Sequence, residues 1–192
     1  ALANISQATE TSTLGEIVGI DIIVTYENWP RGWQKEADWL RFRAEGGMTR
    51  EVLSHFLFFS ERLLGPLKVV FAHPSYPVDH SLCETHLLAR LETSQQQAVS
   101  ILASVGGAQP DRQQVTIKGS KKSRRVSDFS LDMESRGGPF ALLEEAPTDR
   151  RAAALKAQLD ELRLCYEGKP HRLATLTEAL RVQTLVERML AS

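Results

Sequence analysis

The sequence predicts an α+β domain: a mainly antiparallel open β-sheet with helices packed on one face. Three observations predict it. An apolar run of period two occupies residues 14–27, and short alternating segments separated by turn residues follow between residues 85 and 133. Stripes of helical period flank them, one over residues 49–64 and two more beyond residue 149. No strand–helix–strand repeat is present, which excludes a doubly wound parallel sheet.

The 192 residues are 42% hydrophobic and 24% charged, the balance of an ordinary globular protein with a sizeable core. A formal net charge of −1 argues against a chain whose main task is gripping nucleic acid or an anionic membrane. Two distant cysteines, Cys83 and Cys165, give neither a disulfide framework nor a thiolate metal cluster. The expected setting is cytoplasmic and reducing, with no membrane and no nucleic-acid partner.

The first thirteen residues are polar and short-sided and read as a linker. In the strand over Leu14–Glu27, Val18, Ile20, Ile22, Val24 and Tyr26 form an apolar face. Ile17, Gly19, Asp21, Ile23 and Thr25 form the opposite, half-apolar one. Pro30 and Gly32 break the strand, and Trp29, Trp33 and Trp39 crowd the loop before a glycine pair, Gly46-Gly47.

A helix is expected over Thr49–Leu64, burying Val52, Leu53, Phe56, Leu57, Ser60, Leu63 and Leu64 and ending at Gly65-Pro66. A short buried strand follows at Leu67–Ala72. Further strands are expected over residues 85–92, 99–105, 114–118 and 127–133. Turn signals at Ser94-Gln95, Gly106-Gly107 and Gly119-Ser120 suit an antiparallel meander. Helices over Asp149–Glu167 and Leu176–Leu190 close the chain, the second opened by a Thr175/Glu178 capping box.

Glu51 and His55 stand one helical turn apart and share a face. They read either as a proton-handling pair or as a surface ion pair. Upstream, Gly46 and Gly47 would let backbone approach a ligand at the helix start. His80, Cys83 and His86 have metal-ligand chemistry, but residues three apart on a strand face opposite sides, so no metal site is expected. The basic run Ser120–Arg125 (SKKSRR) reads as a solvated hairpin turn, with phosphate binding as the alternative. The tryptophan loop reads either as core or as the wall of a polar-ligand site. No Gly-x-Gly-x-x-Gly, Walker loop or Gly-x-Ser-x-Gly occurs.

Three stretches carry a family resemblance. They are Leu14–Val18 (LGEIV), Glu45–His55 (EGGMTREVLSH) and Ala174–Gln183 (ATLTEALRVQ). Their order and content resemble the C-terminal domain of the glucose–fructose oxidoreductase, inositol dehydrogenase and MocA (Gfo/Idh/MocA) family. That domain has a dihydrodipicolinate-reductase-like fold. The resemblance implies that residues 1–13 link from an N-terminal Rossmann domain outside this chain, and that residues 14–192 form a substrate-binding and oligomerisation domain. It implies an enzyme acting on a sugar, polyol or related carbonyl compound, with NAD or NADP held by the absent domain and none by this fragment.

His55 takes the position of the family's histidine and Glu51 that of its aspartate. These two are the implied catalytic residues, with Trp33, Gly46, Gly47 and Arg50 as substrate-binding residues. Three departures stand out: Glu45 and Ser54 each replace a motif glycine, and Glu51 is one methylene longer than the family's acid. Glu167-Gly168-Lys169-Pro170 is similar to the family's Glu-Lys-Pro, but Gly168 reads instead as a helix C-cap. The implied assembly is a homodimer or higher homo-oligomer through the sheet face. The alternative is a non-catalytic binding or assembly domain that reuses the fold.

Overall fold

The computed structural model describes residues 12–143 and 149–192, so most of the expected linker lies outside the described residues. The strands are β1 (Ile17–Tyr26), β2 (Lys68–Ser75), β3 (His86–Glu92), β4 (Ala98–Val105), β5 (Arg112–Gly119), β6 (Ser123–Ser127), β7 (Leu131–Ser135) and β8 (Ala141–Leu142). The helices are α1 (Ser54–Leu64), α2 (Arg150–Tyr166) and α3 (Leu176–Leu190), with short 3₁₀ turns at Gly32–Gln34 and Asp38–Arg41.

One sheet contains all eight strands in the order β2-β3-β4-β1-β5-β6-β7-β8. Every adjacent pair is antiparallel except β1 with β4. The expected meander is therefore interrupted. Gly106-Gly107 does not close a hairpin, because β1 sits between β4 and β5. Alternation gives the faces of a strand but not its partners, which is why the meander expectation fails at this point.

On the covered face, Ile20, Ile22, Val24 and Tyr26 of β1 meet Leu87, Leu91, Val99, Ile101, Val115 and Ile117, all buried. Phe56 and Leu57 of α1 and Val182, Val186 and Met189 of α3 close this core. Each such fully buried aliphatic side chain contributes roughly 1.5–3 kcal/mol relative to exposure. A register shift between Ile17 and Gly19 turns the start of β1 over. Ile17 is consequently buried while Val18, expected on the core face, is 63% exposed.

The helix expected over Thr49–Leu64 begins as a π turn, Thr49–Leu53, before becoming α-helical. Ser54 N–H donates to Thr49 O, and the Ser54 hydroxyl to Arg50 O at 2.6 Å. Gly65, at φ +90°, ends the helix. The strand expected over Ser127–Met133 is two strands, because Asp128 and Phe129 adopt positive φ in a turn. Phe129 stacks on Phe56 of α1 at 5.3 Å.

The Thr175/Glu178 capping box forms as expected. Gly168, at φ +67°, follows the last turn of α2, and Lys169 N–H donates to Leu164 O at 2.9 Å. That is a helix C-terminal turn. The leucine stripe of α2 differs from a core stripe: Leu155, Leu159 and Leu162 are all more than half exposed.

Candidate active site

The glycine pair is positioned by the protein itself. A Cβ on Gly46 would strike the carbonyls of Leu40 and Trp39, and one on Gly47 would strike the Glu84 carboxyl. Gly47 also has φ +104°, a conformation costly for any residue with a side chain. The two amides are spent internally: Gly46 N–H donates to Phe42 O and Gly47 N–H to Leu40 O, at 2.8 and 2.9 Å. The glycine amides, and the Thr49 amide that donates to Glu84, are therefore not offered to a pyrophosphate, and these residues do not fit the phosphate cradle of a dinucleotide site.

Glu84 is the residue that sequence reasoning missed. It is 2% exposed and accepts from Thr49 N–H at 2.8 Å. Burial pushes its carboxyl above the ordinary glutamate range, outweighing the Thr49 contacts and the Arg50 charge that pull it down. Nothing in its surroundings in the sequence marks it, because its partners lie 35 residues upstream.

Arg50 ties this region to the closing helix. Its Nε and one terminal nitrogen donate to the two carboxylate oxygens of Glu187 at 2.7 and 2.8 Å. The other terminal nitrogen donates to Arg43 O and Gly46 O, both at 2.9 Å. A bidentate, four-bond arrangement of this kind fixes geometry as well as charge. Glu51 accepts from Gln34 Nε2 at 3.2 Å through Oε1, with Arg31 at 3.9 Å. Its Oε2 makes no hydrogen bond among the described residues and remains available to a ligand.

These groups line a cleft of about 430 Å³ that gathers Gly46, Gly47, Arg50 and Glu51 with Trp39, Gln183 and Glu187. Trp39, rather than Trp33, supplies its aromatic wall; Trp33 is 65% exposed and stacks under Arg31 at 4.7 Å. His55 is exposed and opens on a second cleft of about 590 Å³, bounded by Phe58 of α1 and by residues of α2 and α3. Arg50 and Gln183 line both clefts and form the wall between them. Among the described residues no hydrogen bond joins Glu51 to His55. The sequence-predicted residues thus cluster around Arg50, but on two sides of it.

Gln183 and Glu187 could have been suspected from their i,i+4 spacing on the closing helix, where Gln183 Nε2 donates to Glu187 at 2.6 Å. The histidine–cysteine–histidine group does not converge. His80 and His86 are exposed, Cys83 is buried, and among the described residues no cluster of three metal-ligating side chains occurs.

No protein-family model matches the sequence, and no curated protein matches it. Solved structures do. A dehydrogenase (MviM) from Clostridium difficile superposes with a TM-score of 0.72 at 14% identity, over 99% of this chain and 60% of that one. The WlbA dehydrogenase from Bordetella pertussis, solved with NADH and UDP-GlcNAcA, gives 0.72 at 20% identity, over 100% and 58%. KijD10, a 3-ketoreductase from Actinomadura kijaniata solved with TDP-benzene and NADP, gives 0.70 at 14%, over 99% and 56%. The fold is that of the C-terminal domain of these oxidoreductases. The chain spans less than two thirds of the length of each.

Proposed function

We propose that this chain is the substrate-binding and oligomerisation domain of an NAD(P)-dependent oxidoreductase acting on a sugar, polyol or related carbonyl compound. The observation that carries the reading is the pair of clefts that meet at Arg50, set on a dehydrogenase-like fold. An aromatic wall with a free carboxylate oxygen beside it suits a polyhydroxylated ligand, since ring faces pack C–H surfaces and carboxylates accept from hydroxyls. The dinucleotide belongs to an N-terminal Rossmann domain outside residues 1–192, and residues 1–13 are the link to it. His55 is the proton-handling residue of the second cleft, and Glu51 orients substrate from the first. The setting is cytoplasmic, a reading that the two free cysteines support.

The uncovered face of the sheet is the oligomer interface. Phe71, Leu88 and Leu102, each about half exposed, cluster on β2, β3 and β4 beside Ile23. Sedimentation velocity should show a dimer, converted to monomer by a Leu88→Asp/Leu102→Asp double substitution. A native chain that stays monomeric at high concentration removes this interface.

A second reading keeps the fold but not the chemistry: a non-catalytic binding or assembly domain. It is favoured by the internal saturation of Arg50 and the glycine amides and by the separation of Glu51 from His55. One experiment separates the two. In the two-domain protein, His55→Ala should lower kcat by about 10²-fold or more, the usual scale for a general acid or base. An unchanged kcat removes His55 from catalysis, whereas no turnover of NAD(P)H by the native two-domain protein across a panel of sugars and polyols leaves the binding-domain reading in place.

A further inference from the structure

The basic run Ser120–Arg125 is only partly a turn. Ser120–Lys122 turn the chain, while Ser123, Arg124 and Arg125 begin β6. Strand alternation then sends neighbouring arginines to opposite faces. Arg124 goes to the helix-covered face, where it pairs with Asp132, both nearly buried. Arg125 goes to the open face, at the end away from Phe71, Leu88 and Leu102.

There it stands at a cleft of about 460 Å³. The guanidinium stacks on the Phe140 ring at 3.8 Å, and its Nε donates to Thr116 Oγ1 at 3.2 Å. Among the described residues no carboxylate pairs with it, and its two terminal nitrogens have no hydrogen-bond partner. Lys118, Lys122 and Arg136, which line the same cleft, each have a carboxylate partner, the last two sharing one. Lys118 pairs with Asp21 at 2.6 Å, and Lys122 and Arg136 pair with Glu134 at 3.2 and 3.0 Å. Lys121, exposed at the turn, has no such partner among the described residues. Among the described residues the cleft thus holds two cations with no carboxylate partner, Arg125 and Lys121, the first a guanidinium fork fixed by stacking and one bond, beside two that share the one carboxylate of Glu134. Hydroxyls of Ser120 and Ser123 lie on the same lining.

We propose that this cleft binds the phosphate group of a small soluble ligand, with Arg125 as the fork and Lys121 as the second charge. A planar guanidinium held at Nε presents its remaining N–H groups to tetrahedral oxyanions, and a flexible ammonium closes over them. Burial and the nearby positive charge of Arg112 press the Arg125 guanidinium below its usual range, and a bound anion would counter that charge. The site is a local recess on a chain of net charge −1, unlike the extended basic stripe that tracks a nucleic-acid backbone. The inference stands apart from the oxidoreductase reading.

The test is titration of the ¹⁵N-labelled chain with inorganic phosphate against sodium chloride of matched ionic strength. Saturable shifts are expected at Gly119–Ser123 and at the Arg125 side chain. Arg125→Gln should weaken the apparent affinity by about tenfold or more, the equivalent of one charge-assisted hydrogen bond. Lys121→Gln, at an exposed position, should weaken it without changing the thermal midpoint, and it serves if Arg125→Gln does not fold. Shifts that are linear, reproduced by chloride, or unaltered in both variants overturn the proposal. So does capture by anionic phospholipid vesicles or by a single-stranded oligonucleotide without a response to inorganic phosphate.

Discussion

Gly47→Ala should destabilise the domain by about 2–6 kcal/mol, and the cost should depend on Glu84. Two effects contribute. A positive φ of +104° costs a residue with a side chain about 1–3 kcal/mol. The new Cβ would also stand 2.8 Å from Glu84 Oε1 and closer still to Oε2, and the buried carboxyl could move aside only by giving up its bond from Thr49 N–H. Overpacking of that kind costs a further 1–3 kcal/mol or so. The two parts separate in a double-mutant cycle with Glu84→Ala. Removing the carboxyl relieves the collision but leaves the backbone strain, so the coupling should be about 1–3 kcal/mol.

Glu84→Ala alone costs about 1–3 kcal/mol, because Thr49 N–H loses its acceptor. Urea unfolding followed by the fluorescence of Trp29, Trp33 and Trp39, all in the adjoining loop, measures each corner of the cycle. A Gly47→Ala cost below about 0.5 kcal/mol, or one equal in both backgrounds, refutes the account. It would return the glycine pair to the role the sequence suggested, close approach to a ligand.

Two other outcomes follow from titrating groups. Arg62, then the Thr175 amide, holds the Glu178 carboxyl down to about 2 from an ordinary 4.5. Its contribution is complete above the unfolded value and is lost as pH falls from 4.5 toward 2. Arg62→Ala should flatten that part of the thermal-midpoint profile, and an unchanged profile would exclude the pair as its source. Burial pushes the Cys83 thiol up to about 11, whereas Cys165 is exposed. Iodoacetamide at about pH 8 should therefore alkylate Cys165 in the native chain and Cys83 only after unfolding, as read by mass spectrometry.

Much of the scaffold was legible in the sequence. The apolar positions of α1 and α3, the Gly65 and Gly168 helix ends and the Thr175 capping box all follow from local rules, and all are observed. Pattern brought the eye to Gly46, Gly47 and Glu51 and the family resemblance added Arg50, and all four line one cleft. What it suggested for the glycines was different. Their close approach is to the Leu40 carbonyl and the Glu84 carboxyl, partners that no spacing reveals.

The sequence by itself determined periodicity and punctuation, because backbone geometry sets which side chains share a face of a helix or strand. Tertiary structure alone decided how those faces meet. It placed β1 parallel to β4 and broke the meander. It put Glu51 and His55 on opposite sides of the Arg50–Glu187 clamp, and it sent Arg124 inward and Arg125 out. Each of these outcomes is fixed by pairing between residues distant in the chain, and such pairing is settled by the packing of the whole core.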